Sequence, residues 1–234
     1  WSTAWATGSI TGAAAEEHRM PGGAKETFSV CFSKKHTGIR KSGKRRRYAV
    51  IRELQTLQQK QEAVSFYTNP RNPGKFSVGY VLTVTEEELL VANIAPDGGY
   101  DGYSVYKTDA VYALSWGDAY SRRMKELYER QAAVDRSWVI PGEAMESLLR
   151  YALEHRRVVT VELSADGHEM FRGLVTAFDG DTVHLNRLDA EGRDDGEWLM
   201  RREDISWLGC DDGERRTLMR LHEARTASEG GDMP

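Results

Sequence analysis

The apolar positions of the chain change period in a fixed order, and they do so twice. Ile51, Leu54 and Leu57 recur at three-residue spacing, and Met145, Leu148, Leu149 and Ala152 at three and four, which places each set on one face of a short helix. Pro141 and Gly142 stand ahead of the second set and mark where its helix starts. Each helix is followed by runs rich in β-branched and aromatic residues: "AVSFYT", "KFSVGYVLTV" and "ELLVANI" first, then "VVTVEL", "MFRGLVTAF" and "TVHLNRL". After an Asp-Gly turn come "YSVYKTDAVYAL" and "EWLMRREDISWL", each predicting two more short strands. Tyr120, Met124 and Leu127, and later Leu218 and Leu221, return to helical spacing. Each unit therefore predicts a helix, five strands and a closing helix.

A shift of 94 positions superposes the two units with no gap, with 12 identities in the 76 columns from Leu54 to Glu129. Leu54 falls on Leu148, Val64 on Val158, Gly79 and Val81 on Gly173 and Val175, and Leu114, Asp118, Arg122 and Leu127 on Leu208, Asp212, Arg216 and Leu221. Gly79 and Gly173 interrupt strand patterns, where glycine marks a strong bend or a close backbone approach. The stretches "DGGYDG" (97–102) and "EGRDDG" (191–196) share Gly98/Gly192, Asp101/Asp195 and Gly102/Gly196. They predict a turn needed twice, with glycine at positive φ and aspartate bonding to nearby backbone. A calcium loop built on Asp97 and Asp101, or on Glu191, Asp194 and Asp195, is the weaker reading, since the alternating ligands and distal Glu of an EF-hand are absent. The expected fold is mainly β with flanking α-helices, as two tandem five-stranded, partly open small barrels. The expected divisions are a disordered basic segment (1–47), a first barrel (48–130), a linker (131–142), a second barrel (143–225) and a disordered tail (226–234).

Charge separates the N-terminal segment from the rest. Of 32 Lys+Arg and 36 Asp+Glu, the first 47 residues hold 10 and 3, so this segment carries +7 and the remainder −11. Its "SKKHTGIRKSGKRRR" reads as a polybasic arm able to meet phosphate or an anionic surface. A chain that opens on Trp1 is expected to be a fragment or to carry an upstream extension, with Met20 a candidate start. No secretory signal pattern and no membrane-length apolar run is present, so a cytoplasmic location is expected. Cys31 and Cys210 lie far apart without metal-like spacing, which predicts reduced thiols and no cofactor or metal.

The stretch "VVTVELSADGHEMFRGLVTAFDGDTVHLNRLD" (158–189) resembles the first motif of Sm-like (LSm, Hfq) proteins, with its bent, glycine-containing second strand. "EWLMRREDISWL" (197–208) is similar to their second motif. The first half shows the same resemblance through "FSVGYVLTVTEEELLVANI" and "YSVYKTDAVYAL", and the tandem layout resembles bacterial proteins with this Gly…Asp-Gly pattern. The resemblance implies an Sm fold and RNA binding along a ring of subunits, with Arg201 and Arg202 as the RNA contacts. The chain departs from the family at its RNA-binding loops: "DGDTV" and "TEEEL" stand where the family has an Asn, and "MRRED" and "YKTDA" where it has Arg-Gly. Glu86, Glu87 and Glu88 in the first of these loops repel phosphate, as does a body at −11. A basic patch combining Arg122, Arg123, Arg201 and Arg202 would favour RNA.

These departures put protein contacts ahead of RNA. Partly open barrels expose strand edges whose backbone groups pair with another barrel or an added strand. The leading expectation is a non-enzymatic scaffold or regulatory module with a protein partner or self-association through strand edges, the two units forming a compact pair. Tyr100, Tyr103 and Trp198 are the candidate partner contacts, within a cluster that also includes Tyr106, Tyr112 and Trp207. His155, His168, His184 and His222 are scattered, and no nucleophile or phosphate-cradle motif occurs, so no catalytic residue is assigned. His184 and Asn186 share a strand face without a partner set that implies chemistry.

Overall fold

A computed structural model describes residues 41–131, 135–163 and 170–229, with side chains from Tyr48 onward. The first half runs α1 (Lys41–Lys60), β1 (Val64–Tyr67), β2 (Ser77–Val84), β3 (Glu88–Ile94), β4 (Tyr100–Lys107), β5 (Ala113–Trp116) and α2 (Ala119–Glu129). The second runs α3 (Ala144–Glu154), β6 (Val158–Leu163), β7 (Met170–Phe178), β8 (Thr182–Leu188), β9 (Asp194–Arg201), β10 (Ile205–Cys210) and α4 (Gly213–Glu229). A single 3-10 turn joins β4 to β5 and β9 to β10. Most of the proposed basic segment, residues 1–40, lies outside the described residues, as do 230–234 at the end of the tail and His168. α1 begins at Lys41, ahead of the expected start of order at Tyr48, and α4 continues to Glu229, past the expected boundary at residue 225.

The strands form one antiparallel sheet in the order β5-β1-β2-β3-β4-β10-β6-β7-β8-β9, so both halves share the internal order last-first-second-third-fourth. The repeat extends to irregularities. β3 and β8 begin and end 94 residues apart, as do β4 and β9. Register shifts recur at Val81/Thr83 and Val175/Ala177, and again at Ala92/Ile94 and Asn186/Leu188.

The gapless superposition needs one correction. Gly79 lies opposite Val64, but Gly173 lies opposite Val159, not Val158. The left-handed residue that ends the first helix is Gln61 in one half and Arg156 in the other, 95 positions on. The hairpin between the first two strands is therefore one residue shorter in the second half, Val161 pairing with Phe171 where Phe66 pairs with Ser77. The true counterparts before this loop are Leu54 and Leu149, and Val64 and Val159, all fully buried.

The other identities have local causes. A Cβ on Gly79 would approach the Ala92 carbonyl oxygen to 2.2 Å, and one on Gly173 the Asn186 oxygen to 2.1 Å, so the neighbouring strand crosses too closely for any side chain. Asp118 caps α2 by accepting from the Ser121 amide at 2.8 Å, and Asp212 caps α4 through the Arg215 amide at 2.8 Å. Arg122 and Arg216 each donate back to the carbonyl of Gly117 and Asp211, residues that both adopt left-handed φ. The turn glycines Gly98 and Gly192 have φ of 87° and 80°, and the closing helix rests on them: a Cβ at 98 would meet Leu127 Cβ at 2.2 Å. Leu127 and Leu221 repeat because they occupy that seat.

Candidate partner interface at the sheet edges

Two strands from different halves meet at the centre of the sheet. β4 pairs with β10, placing Tyr103 opposite Cys210, Ser104 opposite Gly209, Val105 opposite Leu208 and Tyr106 opposite Trp207. The side chains behind this seam form one cluster that mixes Leu82, Leu90, Ala92 and Val105 with Met145, Leu148, Ile205 and Leu208. Glu88, expected to stand in an exposed acidic loop, is 6% exposed at the start of β3. Its carboxylate accepts the Met145 amide at 2.9 Å, in the first turn of α3, and pairs with Lys107 at 3.4 Å. A lone glutamate in an acidic run carries no sequence signal that it caps a helix 57 residues on.

Tyr100 and Tyr103 both lie at this internal seam. Tyr100 is half-buried; its hydroxyl donates to Asp211 Oδ2 at 3.1 Å and the Arg216 guanidinium lies 5.7 Å from its ring centroid. Tyr103 is 3% exposed and donates to the Asp135 carbonyl at 3.0 Å. Trp138, from the expected linker, packs edge-on against Tyr103 at 4.7 Å and tilted over Tyr151 at 4.4 Å. Trp138 and Val139 of that linker thus pack against the seam cluster. Burial pushes the Tyr100 hydroxyl far above its ordinary value, that of Tyr151 up to about 12, and the fully buried Cys210 thiol up as well. Asp211 holds a left-handed φ of 61° between Tyr100 and Arg157, whose Nε lies 3.7 Å from Oδ1.

Trp198 lies elsewhere, half-buried on β9, stacked on Phe171 at 3.9 Å with Arg187 over its ring at 5.4 Å. Arg201 is exposed and paired with Glu203 at 3.0 Å and Asp204 at 2.8 Å, and Arg202 is paired with Glu143. Arg122 and Arg123 sit on α2, which packs on β5, at the opposite end of the strand order from β9.

The outer strands of the sheet, β5 and β9, each have a partner on one side only among the described residues. They are the repeat counterparts of the two strands joined at the seam, since β5 corresponds to β10 and β9 to β4. Their surroundings differ. On the β9 side, Glu197 and Leu199 are exposed, and Gly196, with φ of 84°, has nothing near its absent Cβ. Its counterpart Gly102 is packed so tightly at the seam that a Cβ would reach the Cys210 oxygen at 2.3 Å. On the β5 side, Val111, Ala113, Leu114 and Trp116 face Val50 of α1 across an apolar groove. Among the described residues no cluster of metal-ligating side chains occurs, and no helix is long and apolar enough to cross a membrane.

No protein-family model matches the chain, and no curated protein matches it. Two solved structures of K. pneumonia MrkH, one in its apo state and one from a P2(1) crystal, are similar to it at 9% identity. The matches cover 80% of this chain and 97% and 95% of theirs, with a TM-score of 0.16, a superposition too poor to carry any argument about fold or function.

Proposed function

We propose that the protein is a non-enzymatic scaffold or regulatory module that works through protein contacts of two tandem Sm-like barrels, using the free edges of their common sheet. The observation that carries this reading is the seam itself. β4 and β10 show that a strand edge of this repeat buries apolar surface when another strand is added. The repeated strand order supports the Sm-like reading of each half. RNA binding through Arg201, Arg202 and the basic N-terminal segment is the competing reading, and Arg201 and Arg202 already have carboxylate partners. Ion-paired arginines contribute less to a phosphate than free ones, because an existing pair must be broken first.

The test is fluorescence anisotropy of a short uridine-rich RNA titrated with the full chain at several salt concentrations. The proposal expects no saturable binding from the barrels, and no loss of whatever binding is seen on Arg201→Ala/Arg202→Ala. Saturable binding that weakens steeply with salt and is lost in that double variant would replace the protein-contact reading with RNA binding.

A further inference from the structure

β5 and β10 hold the same place in the repeat, yet among the described residues only β10 carries a strand on its outer side. Allowing for the one-residue difference between the halves, Val50 corresponds to Met145, Glu53 to Leu148, Leu114 to Leu208 and Trp116 to Cys210. In the second half all four of these positions are fully buried, in the cluster that the first half completes with Leu90, Ala92, Tyr103 and Val105. In the first half Val50, Glu53 and Trp116 are only half-buried and, with Leu114 at 6% exposure, line a groove of about 160 Å³ between α1 and β5. The seam thus provides a template for what the groove takes.

We infer that this groove is a docking site for an extended strand of another protein, apolar at alternate positions and pairing antiparallel with β5; the inference rests on the edge-contact reading above. By the register of the seam, the incoming strand places a residue equivalent to Val105 opposite Leu114 and one equivalent to Tyr103 opposite Trp116. Main-chain bonds to β5 supply affinity, and the groove selects the side chains.

A second copy of this chain fits the groove poorly. The counterparts of Leu90, Ala92 and Tyr103 on β8 and the outer strand β9 are His184, Asn186 and Glu197, and burying these against apolar walls strips polar side chains of water. Leu199, the counterpart of Val105, is apolar and 62% exposed, but it stands alone among them. The helix is a second obstacle. α3 starts at Ala144, its first turn held by Glu88 of the first half, whereas α1 continues past the matching Ala49 to Lys41. By analogy with the Glu88–Met145 contact, a second barrel would bring the start of its third strand to the level of Ala49, where about 12 Å of further α1 follows.

The experiment is amide hydrogen exchange on the full chain, with and without a synthetic peptide of sequence Tyr100–Lys107, the strand that fills the matching place in the second half. Expected is rapid exchange at the outward amides of Ala113–Trp116 in the free chain and slowed exchange there, but not at Asp194–Arg201, when the peptide saturates. Ala49→Glu, at an exposed helical position, should weaken the peptide roughly tenfold, and Glu53→Leu, which restores the residue type of Leu148, should tighten it about threefold. Protection of β5 without peptide would mean that the chain itself or a second copy already covers the groove, and would overturn the inference. Protection at β9 alone would overturn it while sparing the edge-contact reading. Absence of binding at both edges would count against the two together.

Discussion

The carboxylate of Glu88, on the third strand of the first half, accepts the backbone N–H of Met145 at 2.9 Å, in the first turn of the helix that opens the second half. One buried acid thus ties the two halves together beside the β4–β10 ladder, satisfying an orphan donor of α3 while pairing with Lys107. Glu88→Ala should lower unfolding stability by about 1–3 kcal/mol in urea titrations. Glu88→Gln, which keeps an acceptor, should lose clearly less.

Val105 and Leu199 hold the same repeat position and differ in burial, 0% against 62%. Val105→Ala should cost about 2 kcal/mol, whereas Leu199→Ala should stay within about 0.5 kcal/mol. Equal effects in chemical denaturation would mean that β9 is covered in solution as β4 is.

Glycines at matched positions separate steric from conformational demand. Gly173→Ala puts a methyl 2.1 Å from a backbone oxygen and should leave little folded protein by circular dichroism. Gly196→Ala meets no atom, and its φ of 84° alone should cost about 1–2 kcal/mol.

Acid stability depends on the cap of α2. Burial pushes the Asp118 carboxyl up, but hydrogen bonds from Ser115 and Ser121 outweigh burial and hold it below the ordinary value. A carboxyl depressed by folding stabilises fully above its unfolded value of about 3.9, and that contribution is lost as pH falls through the folded value. Asp118→Asn keeps the capping acceptor and does not titrate. Its stability should fall less steeply than that of the parent below about pH 5, as measured by urea midpoints across pH.

The strands, the bends at Gly79 and Gly173 and the turns at Gly98 and Gly192 were legible in the chain because their causes are local. A two-residue apolar alternation, a missing Cβ or a positive φ leaves its mark within a few positions. The repeat was legible for the same reason, although identities alone misplaced Val64 by one residue: Val158 and Val159 are both valines, and the pairing with Gly173 and the helix end at Arg156 distinguish them. Tyr100 and Tyr103 read as interface residues, and they lie at an interface internal to the chain.

Which surfaces of the repeat meet, and which stay open, depended on contacts between residues distant in sequence. Leu90 and His184, or Tyr103 and Glu197, are matched strand residues whose chemistry differs because one faces the other half and one faces solvent, a distinction that exists only once β4 lies on β10. Local pattern specifies each strand through the period of its own side chains. Pairing between edges is selected by the apolar area that two remote faces bury together, and that area belongs to neither segment alone.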